Sequence, residues 1–147
     1  MGPWLLLAHL IGAVVWLGGM TFMLATLRPA AFAELEPPSR PRLLLAVLAR
    51  FFPLVWGSIG LLVVSGMVGL VVAGAAAPRG WHAMAGIGVL MVLVFAYIQF
   101  MPYRLARAAA RQADWPAVGR ALQRLHPLVQ LNCVLGWLAV ALVVLWR

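Results

Sequence analysis

Charged and apolar residues are segregated along this chain into long uncharged stretches separated by arginine-containing connections. Asp, Glu, Lys and Arg are absent from residues 1–27, 51–78, 80–103 and 125–146. Each stretch reaches the roughly 20 residues that an apolar α-helix needs to cross a bilayer. We therefore predict an all-α integral membrane protein, a four-transmembrane-helix up-down bundle that forms a single membrane domain over residues 1–147. The predicted spans are residues 4–27, 51–74, 81–103 and 126–146.

The composition excludes the common soluble classes. Hydrophobic residues make up 65% of the chain and charged residues 10%, whereas a soluble domain carries about 25% charged residues. This inventory rules out a soluble enzyme, a secreted disulfide scaffold and a disordered tail. The one cysteine, Cys133, lies in the fourth stretch, where it has no partner for an intrachain disulfide and is predicted to be a small buried residue.

The arginines are distributed unequally between the two sides of the predicted membrane. Of the 11 arginines, nine lie in the first and third connections, while Arg79 lies in the second and Arg147 ends the chain. The positive-inside rule therefore predicts that both termini lie outside. The exclusive use of Arg as the basic residue, with many Ala and Gly, suggests a bacterium, in whose inner membrane both termini would be periplasmic. The basic residues are expected to contact the lipid bilayer, and no nucleic-acid partner is expected.

Histidines are the candidates for chemistry, because no charged residue lies within a span to build a proton relay or an ion-coupled transporter. At a rise of 1.5 Å per residue, His9 and His82 lie about 9 Å and about 6 Å from the same membrane face. His126 belongs to the opposite end of the bundle, where an interfacial or capping role is expected. His9 and His82 are therefore the predicted metal ligands.

A b-type haem is one group that these two histidines would suit. If the first and third spans are diagonal and both imidazoles point inward, they would bind iron from opposite faces of the macrocycle. Gly12 and Gly86 would leave room for the porphyrin on the helical faces of the two ligands. Trp16 would pack on its edge, and Arg79 would pair with a propionate. These four residues are the predicted cofactor-binding residues.

Copper and the absence of any cofactor are the alternatives. Met67 and Met84 also lie in the outer half, and thioether and imidazole ligands suit Cu(I). His82 and Met84, however, are two residues apart on a helix and point to different sides, which makes a poor chelate. Without a cofactor, the histidines would be hydrogen-bonded groups near the interface.

Several segments resemble the CopD-like family of bacterial membrane proteins. Residues 7–20, LAHLIGAVVWLGGM, resemble its first helix, and residues 81–86, WHAMAG, resemble its third. Further similarity covers residues 101–104, 114–117 and 131–136. The family is named for copper resistance, and its longer members are proposed to move copper across the inner membrane, although this chain lacks their additional helices. Distant HemJ-like protoporphyrinogen oxidases bind haem b through a helix-one histidine that His9 matches, but their lysine is missing here.

Three functions follow from these observations. The first is a haem protein that transfers electrons near the periplasmic leaflet, with quinone or a periplasmic redox carrier as partner. The second is a copper-handling protein. The third is a non-catalytic accessory subunit of a larger membrane complex, which would pack through the small residues of the second span. The small residues of the second span are Gly57, Gly60, Ser65, Gly66 and Gly69.

Gly136 is expected to allow close helix packing in the fourth span. Asn132, a polar residue in the fourth span, is expected to hydrogen-bond across helices.

Overall fold

The structure is a computed structural model that describes residues 2–146. Within this range, four helical segments are long and apolar enough to cross a membrane, and the regular structure is entirely helical. The predicted all-α membrane bundle is thus confirmed. Its elements are α1 (Pro3–Phe22), a π-helical turn (Met23–Leu27), α2 (Arg28–Glu34), α3 (Ser39–Ala73), a 3₁₀ turn (Gly74–Ala76), α4 (Arg79–Phe100), α5 (Pro102–Arg111) and α6 (Trp115–Leu145).

Two helices extend beyond the spans that hydrophobicity predicts. The second predicted span starts at residue 51, but α3 begins at Ser39; the fourth starts at residue 126, but α6 begins at Trp115. Both extensions are rich in Arg, Leu and Ala, which favour helix formation in water as well as in lipid. A charge pattern therefore marks where a helix leaves the membrane, and not where the helix ends.

The third helical segment is interrupted near the arginine-rich end of the bundle. The predicted span 81–103 ends three residues early, because α4 stops at Phe100 and α5 starts at Pro102. Proline has no N–H to continue the helical hydrogen bonding. After α5 the chain turns, and Asp114 caps α6 by accepting a hydrogen bond of 3.0 Å from the Ala117 N–H, a role for which aspartate is favoured.

The four spans form two closely packed pairs, since α1 packs mainly on α3, and α4 packs mainly on α6. Glycines permit these contacts. A Cβ added at Gly12 would lie 3.0 Å from the Ser58 carbonyl oxygen, and one added at Gly80 would lie 2.7 Å from that of Trp146. Gly57 and Gly60 instead face open space, so the small residues of the second span do not form one packing surface within this chain.

An aromatic cluster fills the middle of the bundle and joins α1, α3, α4 and α5. The Phe95 ring lies edge-on to Trp16, Phe52 and Trp56, with centroid distances of 6.1, 5.1 and 5.4 Å. Phe52 also contacts Tyr103 at 4.6 Å. Edge-to-face pairs of this kind stabilise a core beyond simple burial. This aromatic cluster lies between two cavities, one towards each end of the bundle.

Two polar side chains of α6 are buried near this level. Cys133 is buried, as predicted, and its Sγ lies 3.6 Å from the Thr21 hydroxyl oxygen. Asn132 is 1% exposed, and within residues 2–146 neither its amide nitrogen nor its amide oxygen has a hydrogen-bond partner. The expected interhelical hydrogen bond of Asn132 is therefore wrong, because the groups around it offer it no partner.

Candidate functional site

A cavity of about 360 Å³ lies between the two helix pairs, towards the end of the bundle that holds both termini. We call it the terminal cavity. All four spanning helices line it, and its volume falls within the range of about 300–1,000 Å³ that is typical of small-molecule sites. Most of the lining is aliphatic. The side chains with nitrogen or sulfur atoms are His9, Trp16, Met67, Trp81, Met84 and Met91.

His9 is anchored on the neighbouring helix rather than exposed to lipid. Its Nδ1 lies 2.8 Å from the Ser65 hydroxyl oxygen, and that hydroxyl donates its proton to the Leu61 carbonyl. The hydroxyl oxygen therefore accepts from Nδ1–H, which in a neutral imidazole leaves the lone pair on Nε2. The ring also lies against α3, because a Cβ added at Gly66 would be 3.6 Å from its Cε1. His9 thus has a fixed orientation and one nitrogen available to a ligand.

Three methionines from two helices line the same cavity. Met67 on α3 is 62% exposed, whereas Met91 on α4 is 6% exposed, so they mark the rim and the interior of the lining. Met84 lies between these extremes. Within residues 2–146, no three His, Cys, Asp or Glu side chains come together to hold a metal. A metal in this cavity would therefore depend on thioether sulfur together with one imidazole.

His82 lies outside the cavity, although it follows the start of α4 closely. Its side chain is exposed, and it does not belong to the lining. Met84, two residues further on, does line the cavity, which agrees with the expectation that His82 and Met84 point to different sides of the helix. The structure brings His9 and Met84 to one cavity and does not bring His9 and His82 together there.

The four residues predicted to surround a haem are also dispersed. Gly12 is buried against α3, while Gly86 and Arg79 are exposed on α4, and none of these three lines the terminal cavity. Trp16 does line it, and its ring is 4% exposed and packs on Phe95. The residues present therefore do not fit a haem ligated by His9 and His82. The arrangement expected for that haem requires both imidazoles to point inward, and only one does.

The sequence pattern did not single out Ser65, which contacts His9, or Met91, which lines the cavity. Ser65 was assigned to helix packing, and Met91 was not distinguished from other apolar residues of its span. Ser65 is a hydroxyl residue at the same depth in the membrane as His9. That shared depth was a signal for a hydrogen bond between them, because α1 packs on α3. Met91 carried no signal of its own, since methionine is a common filler of apolar interiors.

His126 lines a second cavity, at the arginine-rich end of the bundle, and is half-buried there. It lies beside a proline within α6, so the residue does not cap the start of that helix, which begins at Trp115. The structure thus separates His126 from His9, as their predicted depths require.

Fold and cavity together define a multi-pass membrane protein with four spanning helices and, between two helix pairs, a mainly aliphatic cavity that three methionines help to line. The family model of copper resistance protein D, CopD, matches residues 45–146, about two thirds of the chain. The chain belongs to the CopD family. The matched region includes all three methionines of the terminal cavity, and it begins within α3, after His9. No curated protein and no solved structure matches the chain.

Proposed function

We propose that this chain is a copper-handling membrane protein that binds Cu(I) in the terminal cavity. The ion would be held by Nε2 of His9 and by the thioethers of Met67 and Met84, with Met91 as a deeper ligand. The observation that carries this proposal is the convergence of these four side chains, from α1, α3 and α4, on one cavity. Membership of a family named for copper resistance supports the same metal.

The donor set suits Cu(I) better than a harder ion. Thioethers are soft, neutral ligands that favour Cu(I), and imidazole also binds copper. No carboxylate lines the cavity, so the ligands offer little to Ca²⁺ or Mg²⁺, which require oxygen. Copper would be cargo rather than a resident cofactor, and the flexible methionine side chains would exchange it without rearrangement of the helices.

Ser65 would act on the metal through His9. A ligating histidine usually donates its other N–H to a neighbouring group, which fixes the tautomer and the orientation of the ring. Ser65 occupies this position through the 2.8 Å contact with Nδ1. Because the Ser65 proton is directed at the Leu61 carbonyl, the hydroxyl favours the tautomer in which Nε2 binds metal.

The arginine distribution supports a direction for this site. If the arginine-rich connections face the cytoplasm, the terminal cavity lies in the periplasmic half of the inner membrane. Met84, five residues after the start of α4, would then meet incoming copper before Met91, which lies twelve residues after that start.

The test is a Cu(I) titration of the detergent-purified protein against a colorimetric chelator under reducing conditions. We expect one Cu(I) per chain and an affinity at least tenfold lower in His9→Ala and in Met84→Leu. His82→Ala and Met101→Leu are matched controls, because His82 lies outside the cavity and Met101 is exposed at the other end of α4. Their affinities should stay within twofold of the wild type.

An equal loss of affinity in His82→Ala would contradict the proposal, as would unchanged affinity in both cavity variants. A pyridine haemochrome assay on the same preparation supplies a second readout. A stoichiometric haem signal that His9→Ala abolishes would overturn copper handling as the function of this cavity.

A further inference from the structure

The second cavity, at the arginine-rich end, has a volume of about 460 Å³. We call it the arginine cavity. It lies between the π-helical turn, α2 with the connection that follows it, the beginning of α3 and the first half of α6, and no residue of α4 or α5 lines it. Its lining combines many aliphatic side chains with a few polar ones. The polar side chains are Arg28, Arg40, Gln123 and His126.

Two arginines converge on one aromatic ring in this cavity. The Cζ of Arg28 lies 4.7 Å from the centroid of Phe32, and the Cζ of Arg40 lies 5.1 Å from the same centroid. Nε of Arg40 also donates a hydrogen bond of 2.7 Å to the Leu35 carbonyl. That bond uses one of the five N–H donors of the guanidinium and fixes its orientation.

The two positive charges lack an acidic counterpart in the cavity. The three acidic residues of the chain, Glu34, Glu36 and Asp114, are all absent from its lining. Two guanidinium groups close to one ring repel each other, and an anion that contacts both would offset that repulsion. Guanidinium groups bind phosphate well, because their planar set of donors matches two phosphate oxygens.

The aliphatic part of the lining continues from these charges towards the middle of the bundle. Leu48 and Val129 lie furthest along α3 and α6, and Leu24 lies one turn before Arg28. Trp115, which also lines the cavity, stacks against Arg42, with the Arg42 Cζ 4.4 Å from the ring centroid. A ligand that filled the cavity would thus have an anionic group at the membrane surface and an apolar chain directed inward.

We propose that the arginine cavity binds one anionic phospholipid, with its phosphate between Arg28 and Arg40 and part of an acyl chain on the aliphatic lining. The π-helical turn Met23–Leu27 immediately precedes Arg28, and such turns are frequent at functional sites. The proposal is independent of copper binding, which occurs at the other end of the bundle.

The experiment is native mass spectrometry of the full-length protein in a neutral detergent, titrated with phosphatidylglycerol or with phosphatidylcholine. We expect one tightly retained phosphatidylglycerol and at least tenfold weaker binding of phosphatidylcholine, whose choline cation offsets the phosphate charge. Arg28→Gln combined with Arg40→Gln should weaken phosphatidylglycerol binding at least tenfold. The matched control is Arg104→Gln combined with Arg111→Gln, on exposed positions of α5 at the same end, which should change binding less than twofold.

A second variant keeps both arginines and fills the cavity instead. Gly119 lines the cavity, and a Cβ added there meets no atom within 4 Å, so Gly119→Phe is expected to fold and to exclude the acyl chain. It should lose phosphatidylglycerol binding as the double arginine variant does. Gly60→Phe, at an exposed glycine outside the cavity, controls for the added ring.

Three results would overturn the proposal. Equal weakening by the α5 control would show that lipid binds generally around the arginine-rich end. Retention of phosphatidylglycerol by Gly119→Phe would show that the cavity is not where the lipid lies. Displacement of the lipid by millimolar inorganic phosphate would show that the two arginines form a site for free phosphate.

Discussion

At the residue scale, the terminal cavity depends on the hydrogen bond between His9 and Ser65. An imidazole between apolar helices requires a partner for each nitrogen that bears a proton, because burial without one is costly. Ser65 supplies that partner at 2.8 Å and favours the neutral tautomer with its proton on Nδ1. The same contact stabilises the bundle and would orient His9 for the proposed binding of copper.

Asn132 is the opposite case, a buried polar group without a partner among residues 2–146. A buried amide left unpaired costs about 1–3 kcal/mol. We therefore expect Asn132→Leu, which keeps a similar volume, to raise the free energy of unfolding by about that amount. Thermal unfolding in detergent, followed by circular dichroism, measures the change. Gln112→Leu, at an exposed position between α5 and α6, is the control and should change little.

A lower stability in Asn132→Leu would mean that the amide is satisfied in solution. A higher stability accompanied by weaker copper binding would indicate that this residue is retained for function. Asn132 lies on α6 between Val129, which lines the arginine cavity, and Gly136, which lines the terminal cavity. It thus occupies the level of the bundle that separates the two cavities.

At the scale of the elements, the pairing of α1 with α3 requires a glycine at position 12. Gly12→Ala would bring its methyl group within 3.0 Å of the Ser58 carbonyl oxygen and 3.1 Å of Leu62. We expect a loss of about 1–3 kcal/mol from this overpacking, measured as a lower unfolding temperature in detergent. Gly86→Ala should be neutral or should stabilise α4 by up to about 1 kcal/mol, because Gly86 faces open space and alanine favours helix.

This pair of variants also separates the two roles assigned to these glycines. Two glycines that both made room for a cofactor would both alter ligand binding when replaced, with little effect on stability. If instead Gly12 serves helix packing and Gly86 does not, Gly12→Ala should lower the stability and Gly86→Ala should not. Equal destabilisation by the two substitutions would contradict the observed packing.

The elements that could be predicted from the sequence are those that depend on long apolar stretches. Hydrophobicity located four spans, and Asp114 located the start of α6, because capping is a local interaction. The beginning of α3 at Ser39 could not be read in this way, since Arg-containing segments form helices as readily as they form loops. The rotation of each helix about its axis could not be predicted either. Nearly every face of the spanning helices is apolar, so no hydrophobic pattern distinguished the exposed His82 from the inward His9.

At the scale of the whole molecule, the bundle has two unlike ends. The end that holds the termini has the terminal cavity with its three methionines, and the other end holds nine of the 11 arginines and the cavity proposed for lipid. An anionic lipid at the arginine-rich end would favour one orientation in the membrane, because the cytoplasmic leaflet attracts basic residues.

The orientation is testable by cysteine labelling in intact bacterial cells. In a Cys133→Ser background, Ala76→Cys in the connection after α3 should react with a membrane-impermeant maleimide. Ala113→Cys in the turn before α6 should react only after the inner membrane is permeabilised. Both alanines are exposed, so burial does not explain a difference between them. The reverse pattern would contradict the orientation that the positive-inside rule predicts.

The most direct test of copper handling is the ligand shell of bound Cu(I), measured by X-ray absorption at the copper edge on the loaded protein. The proposed site predicts sulfur neighbours together with one nitrogen neighbour. His9→Ala should remove the nitrogen contribution, while His82→Ala should leave the spectrum unchanged. A shell without sulfur, or a spectrum that changes with His82 and not with His9, would contradict a copper site in the terminal cavity.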